Sequence, residues 1–454
     1  MTSSTEQPAA TPPPTGFADA GSRYFEPVVE TMPRDRLRDL QEERLLATVA
    51  HAYANSGLVR EVWDDARVTP RDVRGMDDFL ERAPFIDKDR IRAYRDRHRD
   101  PYGGILCVPE SELKGIYSTS GTTGDPTLVP SAMPPEPDAG GRGLMVRTLW
   151  EIGVRPGDHI LVALFTFRGQ IWPQRAHLVG GVPVFLDHSP AAVPRLLELC
   201  RELRPACVYH LSGTMLAAVE EWTERLGVDP RDVFSSFKGV ISGGEAIGER
   251  MARTVRSWGV EPFSFTAVGD VSSALHCREH DGCHVWEDAV LLENVDPASA
   301  VPVEDGSVGE LVATALENRV APLIRYRSDD LVRISRARCG CGRTHSRMWP
   351  IGRKGDEVVV AGRTILPRDV MPAVERIAET GAGFFQIVRP QREMEVLRVR
   401  VGCRDRDRAR PRVRDDVAAA VHTELGVPVE VELVDLDELL RLGPPHKIPR
   451  VARG

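Results

Sequence analysis

A chain of 454 residues is too long for one small hydrophobic core, so its length predicts at least two domains. Hydrophobic residues make up 42% and charged residues 28%, and the formal net charge of −8 excludes a general nucleic-acid or anionic-membrane surface. No apolar run approaches the roughly 20 residues that span a bilayer. Eight cysteines in so long a chain do not make a disulfide scaffold, and a reduced, cytoplasmic protein is expected.

Residues 1–23 open with a stretch rich in Ser, Thr, Pro and Ala, without the basic start and apolar core of a secretory signal. They read as a disordered leader. From Arg36 to Ala54, Leu40, Leu45, Leu46 and Val49 fall at helical spacings. Beyond Ile116 short apolar runs alternate with helical ones. Strands are expected at His159–Leu164, Val182–Leu186, Ala206–His210 and Gly239–Ile241, with helices at Ala192–Leu203, Met215–Leu226 and Glu249–Trp258. Such alternation predicts an α/β fold with a mostly parallel sheet covered by helices.

After Thr266 short strands with turn residues dominate, among them Val290–Val295, Glu310–Thr314 and Leu331–Ile334. A boundary is expected at Gly352-Arg353-Lys354-Gly355. Beyond it come a helix over Arg368–Glu379, a strand with Leu397, Val399 and Val401 alternating with arginines, and a helix over Val413–Leu425 that stops at Gly426. Val429, Val431 and Leu433 alternate as a last strand. The expected organisation is a large domain over residues 24–351 and a small, mobile α+β domain over residues 352–454.

The most telling segment is Tyr117-Ser118-Thr119-Ser120-Gly121-Thr122-Thr123-Gly124-Asp125-Pro126. Glycines let a backbone approach phosphate and present N–H groups, while Ser and Thr hydroxyls donate to phosphate oxygens. The spacing is not that of a Walker loop; a flexible Ser/Gly connector is the bland alternative.

The order of these residues resembles the S/T-S-G-T-T-G-x-P phosphate loop of the adenylate-forming superfamily, and the texture is closest to its phenylacetate-CoA ligase family. The likeness runs from about Leu40 to the C-terminus. It implies that Ser118, Thr119, Ser120, Gly121, Thr122, Thr123 and Gly124 hold phosphates. Ser242-Gly243-Gly244-Glu245 looks like the adenine-contacting turn, giving Gly243, Gly244 and Glu245. Pro322-Leu323-Ile324-Arg325-Tyr326-Arg327-Ser328-Asp329-Asp330 resembles a signature whose last Asp grips the ribose hydroxyls, here Asp330. A carboxylate suits that task because it accepts from both vicinal hydroxyls. Gly352-Arg353-Lys354-Gly355-Asp356 is similar to the interdomain hinge, in which Arg353 would reach the nucleotide. Gly355 stands where the family usually has Asp. The tail His446-Lys447-Ile448-Pro449-Arg450-Val451 resembles the ending that carries the catalytic lysine, here Lys447, whose ammonium would offset charge in an in-line transition state.

Cys277, His280, Cys283 and His284 lie upstream of Cys339-Gly-Cys341. Thiolates and imidazoles from two loops are what a tetrahedral structural zinc requires. Likeness to zinc-bearing family members selects Cys277, His284, Cys339 and Cys341, with His280, Cys283 and His345 as spares.

Two positions depart from the family pattern. Asp125 stands where a Lys is common, so its charge must point away from a triphosphate or meet a cation. In the stretch Phe263–Ala267, Thr266 matches the phosphate-contacting Thr, but Ala267 replaces the Glu that helps hold Mg²⁺; Asp270 is the nearest carboxylate. The resemblance implies ATP and Mg²⁺ as cofactors and a small carboxylic acid, aromatic if Phe165–Gly169 and Tyr209–Gly213 wall the acyl pocket. Arg168 and His210 would be polar groups in it, placed to contact a second carboxylate or an amine on the substrate. Coenzyme A is the implied acceptor. A carrier protein, an amine or a nitrite-type substrate of specialised metabolism, and a non-catalytic nucleotide- or acyl-CoA-binding homologue, are the alternatives. A homodimer is compatible; nucleic-acid and membrane partners are not expected.

Overall fold

The computed structural model of the protein describes residues 21–113, 115–118, 125–131, 143–164, 176–243, 247–380, 383–403, 411–443 and 448–453. Two short strands, β1 (Gly115–Ser118) and β2 (Leu128–Ser131), pair as an antiparallel hairpin. Eleven more form one sheet: β3 (His159–Leu164), β4 (Val182–Asp187), β5 (Cys207–Tyr209), β6 (Gly239–Ser242), β7 (Pro262–Val268), β8 (Ser272–His276), β9 (Cys283–Val285), β10 (Val290–Val295), β11 (Val308–Ala315), β12 (Tyr326–Ser335) and β13 (Arg347–Arg353). Their order is β10-β11-β12-β13-β9-β8-β7-β6-β5-β3-β4.

The expected parallel sheet is therefore half of a mixed one. Strands β4, β3, β5, β6 and the first half of β7 run parallel; from Phe265 onward β7 pairs antiparallel with β8, and every further pairing is antiparallel. The change falls beside Thr266, where the sequence loses its strand–helix rhythm.

Helices between the parallel strands follow from local chemistry. In Val193–Leu203 a proline occupies the first turn, Val193, Leu196, Leu197 and Cys200 share the buried face, and the helix ends at Arg204 with φ +46°. Gly213–Leu226 starts where the Ser212 hydroxyl accepts from Met215 N and stops at Gly227, φ +62°. Burying each such Leu or Val contributes about 1.5–3 kcal/mol, whereas an exposed helical ion pair such as Arg195–Glu198 contributes roughly 0.3–0.5. The apolar face, not the surface charge, fixes these helices.

Residues 358–453 add β14 (Val358–Val360), β15 (Arg363–Ile365), β16 (Phe385–Arg389), β17 (Glu393–Met394), β18 (Leu397–Cys403), β19 (Val429–Asp435) and β20 (Val451–Arg453), in sheets of order β15-β14-β17 and β19-β18-β16-β20. Leu397, Val399 and Val401 of β18 pack with Val413, Val417, Val421 and Leu425 in a core drawn wholly from this part of the chain. The helix expected to reach Glu379 ends at Glu375, because the Thr380 hydroxyl takes the Val374 carbonyl at 2.9 Å and a short 3-10 turn follows. The last residues of the expected leader carry contacts too: the Ser22 carbonyl accepts from Trp150 Nε1 at 3.0 Å. Residues 1–20 lie outside the described residues. Among the described residues no helix is long and apolar enough to cross a membrane.

Candidate active site

The segment expected to bind phosphate begins in β1 and continues toward β2. Ser118 ends β1 opposite Leu128, and Tyr117 faces Val129, so pairing brings the two flanks of the loop together. Thr119, Ser120, Gly121, Thr122, Thr123 and Gly124 lie outside the described residues. Asp125, just past them, turns to the helix Lys88–His98. Arg95 donates to both of its carboxylate oxygens, at 2.9 and 3.1 Å, and Arg92 Nη2 donates to its main-chain carbonyl at 2.6 Å. The hydrogen bonds from Arg95 hold this carboxyl below its ordinary range. The cation that meets Asp125 is thus the protein's own. Arg92 and Arg95 escaped the sequence reading, although their spacing of three on a helix was a signal for a shared face.

Gly243 follows β6 and lies against β7. A Cβ there would stand 2.9 Å from Phe265 Cδ1 and 3.0 Å from the Phe265 carbonyl oxygen, so the approach requires glycine. Gly244 and Glu245 lie outside the described residues. Thr266 is half-buried opposite Ala274, and Ala267 is exposed opposite Ser273. Asp270, in the turn after β7, accepts from the Tyr326 hydroxyl at 3.0 Å and sits 3.2 Å from Lys88 Nζ. Its charge is met by the helix that also holds Asp125.

Asp330 and Arg353 pair across β12 and β13, with Arg353 Nε 3.3 Å from Asp330 Oδ1. The preceding Asp329 has a left-handed φ of +61°, and its carbonyl accepts from Lys354 N at 2.7 Å. This strained residue, next to a register shift at Leu331/Val332, turns Asp330 toward Arg353. A Cβ on Gly269 would lie 3.0 Å from Ser328 Cβ, so the β7–β8 turn backs onto the same stretch. A run of contacts therefore links Asp125, the Lys88–His98 helix, Asp270, Tyr326 and the Asp330–Arg353 pair.

Phe165–Gly169, with Arg168, lies outside the described residues. Tyr209 and His210 stand at the carboxyl end of parallel strand β5, where open α/β sheets bind ligands. The Tyr209 ring is 6.3 Å from Phe265, and the His210 ring 5.5 Å from His188, which follows β4. His210 has φ +73°, a strained conformation for a residue with a side chain. Burial pushes His188 down to about 4, leaving its imidazole neutral at pH 7.

Lys447 lies outside the described residues, but the chain just past it is fixed. Ile448 is buried, Gln386 Nε2 donates to the Pro449 carbonyl at 2.9 Å, and Ile387 N to the Arg450 carbonyl at 2.8 Å, placing β20 parallel beside β16.

The expected metal ligands do meet. One ligand atom from each of Cys277, His284, Cys339 and Cys341 falls within 4.8 Å of the others, and all four residues are buried. Cys277 Sγ is 3.7 Å from Cys339 Sγ, and Cys341 Sγ 3.2 Å from His284 Nε2. Thiolates about 2.3 Å from one tetrahedral zinc stand roughly 3.8 Å apart, so the set fits. His284 Nδ1 faces the His345 carbonyl at 3.0 Å; donating there leaves Nε2 a free lone pair on the cysteine side. The hydrogen bond from Cys277 holds Cys341 far below the usual thiol range, while Cys277 itself is pushed up. The three spares are engaged elsewhere: His280 with Glu261 at 3.0 Å, Cys283 with the Ser264 carbonyl, and His345 with Glu287 N and the Val29 carbonyl.

No protein-family model matches the sequence. The phenylacetate-coenzyme A ligase of Thermus thermophilus is 31% identical over 385 residues, 83% of this chain and 84% of the relative. That of Pseudomonas putida is 27% identical over 431 residues, 92% and 94% of the two chains. Among solved structures, 2-hydroxyisobutyryl-CoA ligase in its postadenylation state, bound to an acyl-AMP, superposes with a TM-score of 0.83 at 25% identity, covering 97% of this chain and 94% of that one. The same ligase in its thioesterification state, with an acyl-AMP and CoA, reaches only 0.67 at 26% identity and the same coverage. With this identity over most of both chains, on a matching scaffold, the protein belongs to the phenylacetate-coenzyme A ligase family of adenylate-forming enzymes.

Proposed function

We infer that the protein is an AMP-forming acid–thiol ligase, which activates a small carboxylic acid with ATP and passes the acyl group to coenzyme A. A carboxylate oxygen of the acid attacks the α-phosphorus in line; the bond to the bridging oxygen breaks and pyrophosphate leaves. The thiolate of coenzyme A then attacks the acyl carbon, and AMP departs with the electron pair of the broken bond. The observation that carries this reading is the Asp330–Arg353 pair: an acceptor suited to vicinal ribose hydroxyls, beside a cation suited to the nucleotide.

In this reading Ser118 through Gly124 and Thr266 surround the phosphates, while Gly243, Gly244 and Glu245 border the adenine. Lys447 offsets charge on the α-phosphate and carboxylate as bonds change. The fixed attachment of β20 supports that role, because it anchors the chain immediately after the lysine. The core confined to residues 358–453 supports the division at 352, with the small unit swinging between half-reactions. Magnesium does not find its usual protein carboxylate here: Ala267 has none and Asp270 is paired, so the ion enters as part of MgATP, held by phosphates and water.

A zinc held by Cys277, His284, Cys339 and Cys341 is structural in this account: it ties the Cys339–Cys341 stretch to strand β9 and the residue after β8, and takes no part in the reaction. All eight cysteines are buried and none is joined in a disulfide, which supports a reducing, cytoplasmic setting. Tyr209 and Phe265 suit an aromatic acid. Coenzyme A is preferred over a carrier-protein thiol or an amine because the relatives named above are coenzyme A ligases. Ala267 is the observation favouring a non-catalytic homologue; the Asp330–Arg353 pair opposes it. Acid-dependent ATP–pyrophosphate exchange separates them. Exchange with at least one aryl or short-chain acid is expected, and none with any acid rejects catalysis.

A further inference from the structure

Helix Glu249–Ser257 begins within a few residues of Gly243, and its N-cap position is Gly248, which has no side chain to offer the exposed N–H groups. The cap comes from a distant part of the chain. Glu375, the last residue of helix Pro367–Glu375, is only 7% exposed, and its carboxylate accepts from the main-chain N–H of Arg250 at 3.3 Å and from that of Glu249. A Cβ on Gly248 would fall 1.6 Å from Glu375 Oε1, so the carboxylate occupies the space that any other residue at 248 would fill. The contact is reciprocal. Arg250 Nη1 donates to the carbonyls of Ile377 and Ala378, at 3.4 and 3.0 Å, just past the end of the Glu375 helix. Arg450, three residues past Lys447, lies on the same face and donates to the Gly383 carbonyl at 3.2 Å.

We propose that Glu375 is a positioning residue: with Gly248 and Arg250 it latches the C-terminal part of the chain in the arrangement that serves adenylation, and it must let go before acyl transfer. Two observations support this. The latch joins the helix after the adenine turn to the unit that carries Lys447. The arrangement in which it is closed is also the one shared with the postadenylation state of 2-hydroxyisobutyryl-CoA ligase, and it departs from that enzyme's thioesterification state at equal coverage. The inference rests on the two-step reading above. A contact made in one arrangement alone shifts the balance toward it by its own differential free energy, so its loss affects the two half-reactions in opposite senses.

The test measures both half-reactions separately: ATP–pyrophosphate exchange, and single-turnover consumption of a preformed acyl-adenylate by coenzyme A. Glu375→Ala and Gly248→Ala, altered from opposite sides of the contact, are each expected to slow exchange by about tenfold while acyl transfer holds or rises. Glu375→Gln keeps an acceptor oxygen and should recover most of the exchange rate. A merely structural role would lower both half-reactions together with Tm; that result overturns the latch, and so does unchanged exchange in folded Glu375→Ala and Gly248→Ala. Absence of exchange in the unaltered enzyme with every acid sinks the two-step reading, and the latch falls with it.

Discussion

Asp330 and Arg353 meet across neighbouring antiparallel strands at 3.3 Å, both about a third exposed. An ion pair at that exposure contributes roughly 0–1 kcal/mol to stability, so its value lies in what it can bind. Asp330→Asn should raise the ATP KM for exchange by about 10- to 100-fold, the loss of charge-assisted hydrogen bonds, and move Tm by no more than a few degrees. Equal ATP affinity in that variant contradicts the ribose role.

Asp125 is tied to Arg92 and Arg95, so the family's usual residue is the wrong one in this chain. Asp125→Lys sets an ammonium against two guanidiniums and should impair exchange more than Asp125→Asn does. Because the folded carboxyl lies below its ordinary value, the anchor is fully present above that value and fades only as pH falls through the lowered one. The KM for ATP should thus be insensitive to this group between pH 7 and about 5. An Asp125→Lys enzyme that matches the unaltered one would dismiss the anchor.

Elemental analysis of purified protein should find about one zinc per chain. Cys339→Ser should lose it, while His280→Ala and Cys283→Ser should keep it, since those side chains have partners of their own. Metal-free protein with an unchanged Tm removes the site.

His188 is neutral at pH 7, so it supplies no cation for a second carboxylate. In an acid panel, neutral aromatic monocarboxylic acids should support faster exchange than dicarboxylic acids of similar size. His210→Ala should change the ranking of acids more than it changes the KM for ATP. A dicarboxylate as best substrate would reverse this view of the pocket.

Lys447→Ala should abolish exchange yet still consume a preformed acyl-adenylate with coenzyme A, because its proposed charge acts only while pyrophosphate leaves. Undiminished exchange in the variant rejects the assignment.

Periodicity made the helices legible: Val413, Val417, Val421 and Leu425 announced a buried stripe, and the helix lies where they placed it. The strands β3, β6 and β10 were equally plain as apolar runs. Their order was not, since nothing local says that β7 pairs parallel on one side and antiparallel on the other. The cluster of Cys277, His284, Cys339 and Cys341 was picked out by likeness to zinc-bearing family members rather than by spacing alone, and setting aside His280 and Cys283 needed the positions of Glu261 and Ser264. Contacts between distant segments stayed hidden for the same reason. Gly248 looks like any helix-start glycine until Glu375 is seen in its place, and Asp125 looks like a defect until Arg95 is seen beside it.

The most direct measurement is a crystal structure of the protein grown with a non-hydrolysable acyl-adenylate analogue. The account predicts the ribose hydroxyls on Asp330, Arg353 beside the nucleotide, and the phosphate against the segment between Ser118 and Asp125. A nucleotide bound away from Asp330, or none at saturating analogue, would contradict it.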